Sequence, residues 1–321
     1  MSKNLVCGVI VGACMSTMMG LAQINVNTDV DTVKAEGKSK VNTGVKLGGA
    51  AIENSAINVN TSVKSIDAAN GSSVNTGADL SDSKVKDSVL NVTTKGTNRD
   101  LTIKATDGSK VNTGIEARGS KIEGSKINVN TGVDIIQATG GSKINTGVEA
   151  NNTTIKDSEI NVSTKTAPRK DPLADNKSEI NTGVIANNAT IKGSKVNINT
   201  TTTDDIVAKD GSKINTGLIA NGAKIEGSQL NANTVAGRIE ATGGSEINTG
   251  ISANNATIKG SKLNAQTTVE SLKAEGGSKI NTGIKVDGAK VENASINVNT
   301  SAKSIEAKGG STINTGVTTD K

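Results

Sequence analysis

The sequence predicts an all-β fold, a narrow β-solenoid of stacked coils, and three observations lead there. The tripeptide Asn-Thr-Gly recurs nine times from Asn42 to Gly316 at spacings of 33 to 37 residues, and a tenth copy, Asn130–Gly132, falls inside the second phrase. A second phrase, Ile-Asn-Val-Asn-Thr or a variant, sits between the copies, so each 33-residue unit holds two related half-units. No Phe, Tyr, Trp or His occurs in the 321 residues, and only 33% are apolar. Self-similarity at a fixed period is the signature of a stacked architecture, and an interior without aromatic side chains has to be thin. Ile and Val recur regularly and the net charge is only +5, so the low hydrophobicity does not read as disorder.

The first element is the segment 1–22. Lys3 precedes a mostly apolar run, Leu5–Met19, and Gly20-Leu21-Ala22 supplies small residues where a signal peptidase cuts. This pattern is that of a secretory signal peptide. The run is short for a membrane helix, and no later segment approaches its length. The protein is therefore expected outside the cell or on its surface, exported by a Sec-type signal, with no membrane span after cleavage. An alternative takes Val11-Gly12-Ala13-Cys14 as a lipobox with Cys14 lipidated, although the apolar run continues through Met18 and Met19. Cys7 and Cys14 both lie in this segment, so no disulfide is expected in residues 23–321.

The strand phrases come next. One set of half-units carries Asn25, Asn58, Asn91, Asn128, Asn161, Asn197, Asn231, Asn264 and Asn297. The Asn-Thr-Gly set carries Asn42, Asn75, Asn112, Asn145, Asn181, Asn215, Asn248, Asn281 and Asn314. The residue before each Asn is Ile, Val or Leu, and the residue three before is Ser in sixteen of the eighteen. Alternation with period two describes a strand, while the density of Asn, Thr, Ser and Gly disfavours helix. A second short alternating piece follows in each half, such as Ala189–Gly193 or Ser304–Ala307, with Asn-Asn, Gly-Gly, Asn-Gly and Asp-Gly pairs as turns.

Sixteen or seventeen residues then hold two strands and two bends, which makes one coil. Residues 23–321 form a single domain of about eighteen such coils, an open-ended rod about 85 Å long at the usual strand spacing. Asn145 is expected over Asn161 and Ile144 over Ile160. A β-hairpin meander is the alternative, since the turn pairs also suit hairpins. It does not explain why unlike halves share one Asn register. Every Asn-Thr-Gly half is sixteen residues long from Asn to Asn, and the extra residues fall near 95–100, 166–176 and 201–205. Solenoid insertions leave as loops from one edge in this way.

Few residues offer chemistry. Without His, aromatic residues or a cysteine beyond position 14, the common nucleophile–base pairs are missing. Asp204-Asp205 and the scattered Glu residues do not recur as a carboxylate pair. No catalytic residue, cofactor or enzymatic activity is expected. Asp31, Asp79, Asp134 and Asp287 occupy differing places in the repeat, and no calcium-binding repeat or EF-hand spacing occurs, so no metal is expected. Lys and acidic residues are interspersed, which reads as a solvated surface and not a nucleic-acid patch.

The eighteen Asn residues are the informative set. Each shares a face with the residue two before it, often Lys or Glu (Lys40, Lys110, Lys143, Glu179, Lys213). That predicts outward or edge-facing columns whose amides bond from rung to rung, as Asn ladders do in cross-β structures. The same columns could form a flat polar face toward a glycan, ice or another rod, although Thr lies on the apolar side, which counts against ice. A solenoid with uncapped ends pairs its exposed edges with other molecules. Ile24 and Val26 stand at one predicted end and Ile313, Thr315 and Val317 at the other. The repeat begins with one half-type and ends with the other, as an open head-to-tail filament requires.

With its signal peptide, Ser-x-Ile-Asn phrases and in-register Asn columns across Gln23–Val317, the chain resembles the repeat-built subunits of bacterial extracellular fibres, loosely those of curli-type functional amyloids. A broader resemblance is to β-helical surface adhesins. Curli-type repeats are shorter and carry Gln and Gly positions absent here, so that family's nucleators and secretion machinery do not carry over. The resemblance implies a secreted structural protein whose partner is itself, polymerising end to end into a cell-surface or biofilm-matrix fibre. The alternatives are a monomeric or anchored adhesin that binds glycans or surfaces and, third, an ice-binding protein.

Overall fold

The computed structural model describes residues 23–96, 101–166, 173–202 and 205–320. The leader segment with Cys7 and Cys14 lies outside them, as do 97–100, 167–172 and 203–204 within the three expected insertions. The described residues are all β, and every strand pairing is parallel. Strands stack into four sheets of 13, 9, 9 and 8 strands. The chain visits the four in turn and then climbs one rung. A rung without insertion reads as a long strand (Gln229–Ala241), a corner strand (Glu246–Asn248), a third strand (Ile251–Asn254) and a fourth (Thr257–Lys259).

The coil is therefore the whole 33-residue unit, and the solenoid has about nine rungs, not eighteen. Asn145 stacks on Asn112 and Asn181, and Asn161 on Asn128 and Asn197. The expected stacking of Asn145 on Asn161 and of Ile144 on Ile160 does not occur. Like pairs with like because the two halves differ in strand length. The long strand of one rung matches its neighbour over twelve registered pairs, Gln23–Ala35 against Ala56–Ala68. The corner strand has three residues before the chain bends. Stacking unlike halves would leave most of a long strand's backbone groups without partners, which parallel ladders do not tolerate. The rod is about 40 Å long at the usual strand spacing.

Alternation along the long strand runs as its sequence predicts. In Lys126–Val133, Ile127, Val129, Thr131 and Val133 are buried, while Asn128 and Asn130 face outward. The interior is divided. One apolar cluster joins the first half of the long strand to the third and fourth sheets (Ile127, Val129, Ile115, Ile122). The other joins its second half to the corner sheet (Val133, Ile136, Ala138, Ile144). Thr131 and Thr146 stand between them, each fully buried. Two lobes this narrow are filled by Ile, Val, Leu and Ala, which accounts for a core without rings.

The Asn-Thr-Gly corner explains its own composition. Thr113 and Gly114 both donate their N–H groups to the Asn145 carbonyl of the next rung, at 2.8 and 3.2 Å. A Cβ on Gly114 would overlap the Gly147 carbonyl, and one on Gly147 that of Gly183. Only glycine permits backbones to stack this closely. The long strand is one element on five rungs and two on the other four, where its first piece ends at Gly96, Val133, Thr166 and Thr202. On these rungs the second piece keeps its register, Ile103 on Ile136, Ala138 on Ala174 and Ala174 on Ala208.

Candidate functional site

Three features of the stack have a bearing on function: its amide columns, the interior threonine row and its two terminal rungs. The corner Asn column runs unbroken through nine rungs, each Nδ2 donating to the Oδ1 one rung back at 2.7–2.9 Å. Backbone partners fix which end of each amide is which. Asn181 also donates to the Val148 carbonyl at 3.3 Å, and its Oδ1 accepts from Gly183 N–H at 3.2 Å. This column is not outward-facing. Asn145 and Asn181 are 4% and 2% exposed, because the chain bends at Asn-Thr-Gly and folds the Asn into the corner. The column from Asn25 to Asn264 matches expectation, half-exposed on the outer face of the long sheet with amide bonds of 2.6–2.9 Å. Asn297 continues it in register.

The structure adds columns that the strand phrases do not announce. Asn151, Asn187, Asn221 and Asn254 form a third ladder at 2.8–2.9 Å. Their neighbours Asn152, Asn188, Gly222 and Asn255 take the left-handed turn conformation. The pairs that signal a turn thus split their work, the first residue bonding along the rod and the second making the bend. The Ser three before each Asn joins in too: Ser72 N–H donates to Ser109 Oγ at 3.2 Å, Ser109 to Ser142 at 3.1 Å and Ser125 to Ser158 at 3.2 Å. The Thr that closes every Ile-Asn-Val-Asn-Thr phrase crosses the interior to the corner. Thr61 Oγ1 donates to the Thr76 carbonyl at 3.1 Å, and the equivalent bond recurs on all nine rungs at 3.0–3.3 Å. The presence of that Thr in every copy of the phrase is the signal in the sequence.

The terminal rungs differ from the interior. Ile24 and Val26 are partly exposed, whereas Ile127 and Val129 at the same positions are 0% and 2% exposed. At the other end Ile313 and Thr315 are half-buried and Val317 and Ile305 stand 49% and 55% exposed. Among the described residues nothing covers either face, and Gln23–Ala35 and Ser295–Ala307 are both edge strands of the long sheet. Some exposed charges alternate in sign from rung to rung, while others repeat it, as Lys84 on Lys121, Lys110 on Lys143 and Lys156 on Lys192 do. Lys64 meets Asp31 at 2.7 Å, Lys156 meets Glu123 at 3.0 Å and Lys303 meets Glu270 at 3.3 Å, each from one rung to the next. Hydrogen bonds from Lys156 and Lys121 hold the Glu123 carboxyl below its ordinary value.

No grouping of three or more His, Cys, Asp or Glu residues with metal-binding geometry occurs among the described residues. Asp31, Asp79, Asp134 and Asp287 lie far apart. Asp134 is buried and accepts a hydrogen bond from Leu101 N–H at 3.0 Å, beside the strand break. A shallow groove at the turn into the long strand is lined by Asp87, Lys126, Asp157, Glu159 and Lys195. Lys126 and Glu159 neutralise each other across it at 3.3 Å. Asp205 accepts a hydrogen bond from the Arg238 backbone N–H at 2.7 Å and pairs with its guanidinium at 2.8 Å. Compared with known proteins, the chain matches no family model, no curated protein and no solved structure.

Proposed function

We propose that this is a secreted structural protein that polymerises head to tail into an extracellular or cell-surface fibre. One observation carries the reading: in three of the four sheets the rungs Gln23–Lys46 and Ser295–Asp320 both offer unpaired edges, and there each repeats the interior pattern with which the other would pair. Ile296, Asn297, Val298 and Thr300 repeat Ile24, Asn25, Val26 and Thr28 residue for residue. An exposed sheet edge is a template for another chain, and a heterologous contact of this kind generates an open filament. Fibres of this build use no catalytic residue, cofactor or metal.

The loose resemblance to functional amyloids belongs to the same reading: parallel, in-register strands with Asn ladders, perpendicular to a long axis, are the features the two share. The test is electron microscopy of the purified chain after removal of residues 1–22. Unbranched filaments, one rod wide or bundled, are expected as concentration rises. Monodisperse particles about 40 Å long at high concentration would overturn the reading.

A further inference from the structure

We propose that the register and polarity of the head-to-tail joint are set by a charge code on the outer face of the long strand, its partner being a second copy of this chain. The inference rests on the end-to-end reading above and names what makes one joint right and its neighbours wrong. Extending the 33-residue register from Ser295–Ala307 onto Gln23–Ala35 of the next copy places Ile296 on Ile24, Thr300 on Thr28 and Ala307 on Ala35. It also sets Lys303 against Asp31, Glu306 against Lys34 and Lys308 against Glu36. All three contacts are of opposite sign.

Two of the pairs continue columns that alternate in sign at both ends of the molecule. Asp31 holds Lys64 on the rung beyond it, and Lys303 holds Glu270 on the rung before. The joint gives Glu270–Lys303–Asp31–Lys64. In the next column Glu240 meets Lys273 at 3.6 Å and Glu306 follows in register. The joint then adds Lys34, with Asp67 after it. Lys303 and Asp31 are 79% and 76% exposed on their side chains, so both are accessible to a partner across a joint.

A strand can slide only by two residues and still keep its apolar side inward. Sliding one way sets Glu306 against Glu36 and Lys308 against Lys38; sliding the other sets Lys308 against Lys34 while Lys303 meets Asp29, and both give up the three matched pairs. Both errors juxtapose like charges. The buried amide column adds direction. Asn314 Oδ1 takes one bond from Gly316 N–H at 3.1 Å, whereas Asn181 Oδ1 in the interior takes that bond and a second from the Asn of the next rung. Asn42 accepts from Asn75, and its own Nδ2 points the donor way along the column. Head to tail, donor meets acceptor; head to head, donor meets donor.

The test uses two variants of the chain lacking residues 1–22. One reverses the tail (Lys303→Glu, Glu306→Lys, Lys308→Glu) and the other reverses the head (Asp31→Lys, Lys34→Glu, Glu36→Lys). Juxtaposed like charges strongly suppress association, so each variant alone should elongate about 100-fold more slowly than the parent. An equimolar mixture should recover parental growth, because each reversed face then meets its complement. The mixture also controls for folding, and the single pair Lys308→Glu with Glu36→Lys repeats the test with less perturbation. Parent filaments with variants that grow equally well alone would overturn the charge code and leave the end-to-end reading standing. Folded variants that fail to grow even when mixed would overturn the code as well. A parent that stays monomeric would overturn the end-to-end reading itself.

Discussion

The closing Thr of each Ile-Asn-Val-Asn-Thr phrase works as a cross-tie. Thr131 Oγ1 reaches the Thr146 carbonyl at 3.3 Å in a buried seam between two apolar lobes. Thr131→Val keeps the shape and withdraws that donor, and leaving a buried acceptor unsatisfied costs about 1–3 kcal/mol. Thr76 is the counter-case, since its own hydroxyl is buried without a partner. Thr76→Val removes an unmet polar group, so the expected effect is neutral or slightly stabilising. Urea midpoints of the two variants should move in different directions, and equal losses would show that the seam is held by packing alone.

At the scale of the strand, the Asn alternation and the inward Ile and Val were legible because a period of two leaves no choice of face once one side is apolar. Coil length was not. Ser-x-Ile-Asn opens both halves, yet the chain runs on straight after Asn128 and bends after Asn145, and the deciding residue is the glycine two positions later. That glycine shows its role only when backbones are stacked. The burial of the corner Asn column follows from the same bend, which is why a strict alternation misplaced it.

The ion-pair columns between strands give a second expectation at this scale. Hydrogen bonds from Lys308, Lys290 and Lys224 lower the carboxyls of Glu306, Glu292 and Glu226 below the ordinary value of 4.5. Bonds to Glu36, Asp31 and Glu306 raise Lys34, Lys64 and Lys308 above 10.5. For the carboxyls the folded value is the lower, so their contribution is complete above the unfolded value and is lost as pH falls through the folded one. For the lysines it is complete below the unfolded value and lost as pH rises through the folded one. No His or Tyr occurs in the chain, and none of the described residues is Cys. Melting temperature should be level from about pH 5 to about 9.5 and decline on both sides, by little because exposed pairs contribute little. A midpoint that changes near neutrality would contradict this.

As a whole molecule the rod is one contact repeated from rung to rung. Of the nine glycines in the corner row, those from Gly44 to Gly283 face the carbonyl of the next one along, and Gly316 faces open space. An alanine methyl at Gly147 is a wedge inside a single molecule and should cost about 1–3 kcal/mol. The same methyl at Gly316 touches nothing until a second rod arrives, and there it would lodge against the backbone of Gly44. Gly316→Ala should therefore melt like the parent when dispersed and fail to extend when concentrated, a plug fitted to one end of the molecule. Growth at the parental rate would mean that the glycine row stops short of the joint. Mixed at low proportion into parental protein, the plugged chain would cap one end of each growing rod, making fibre length a count of how many plugs were added.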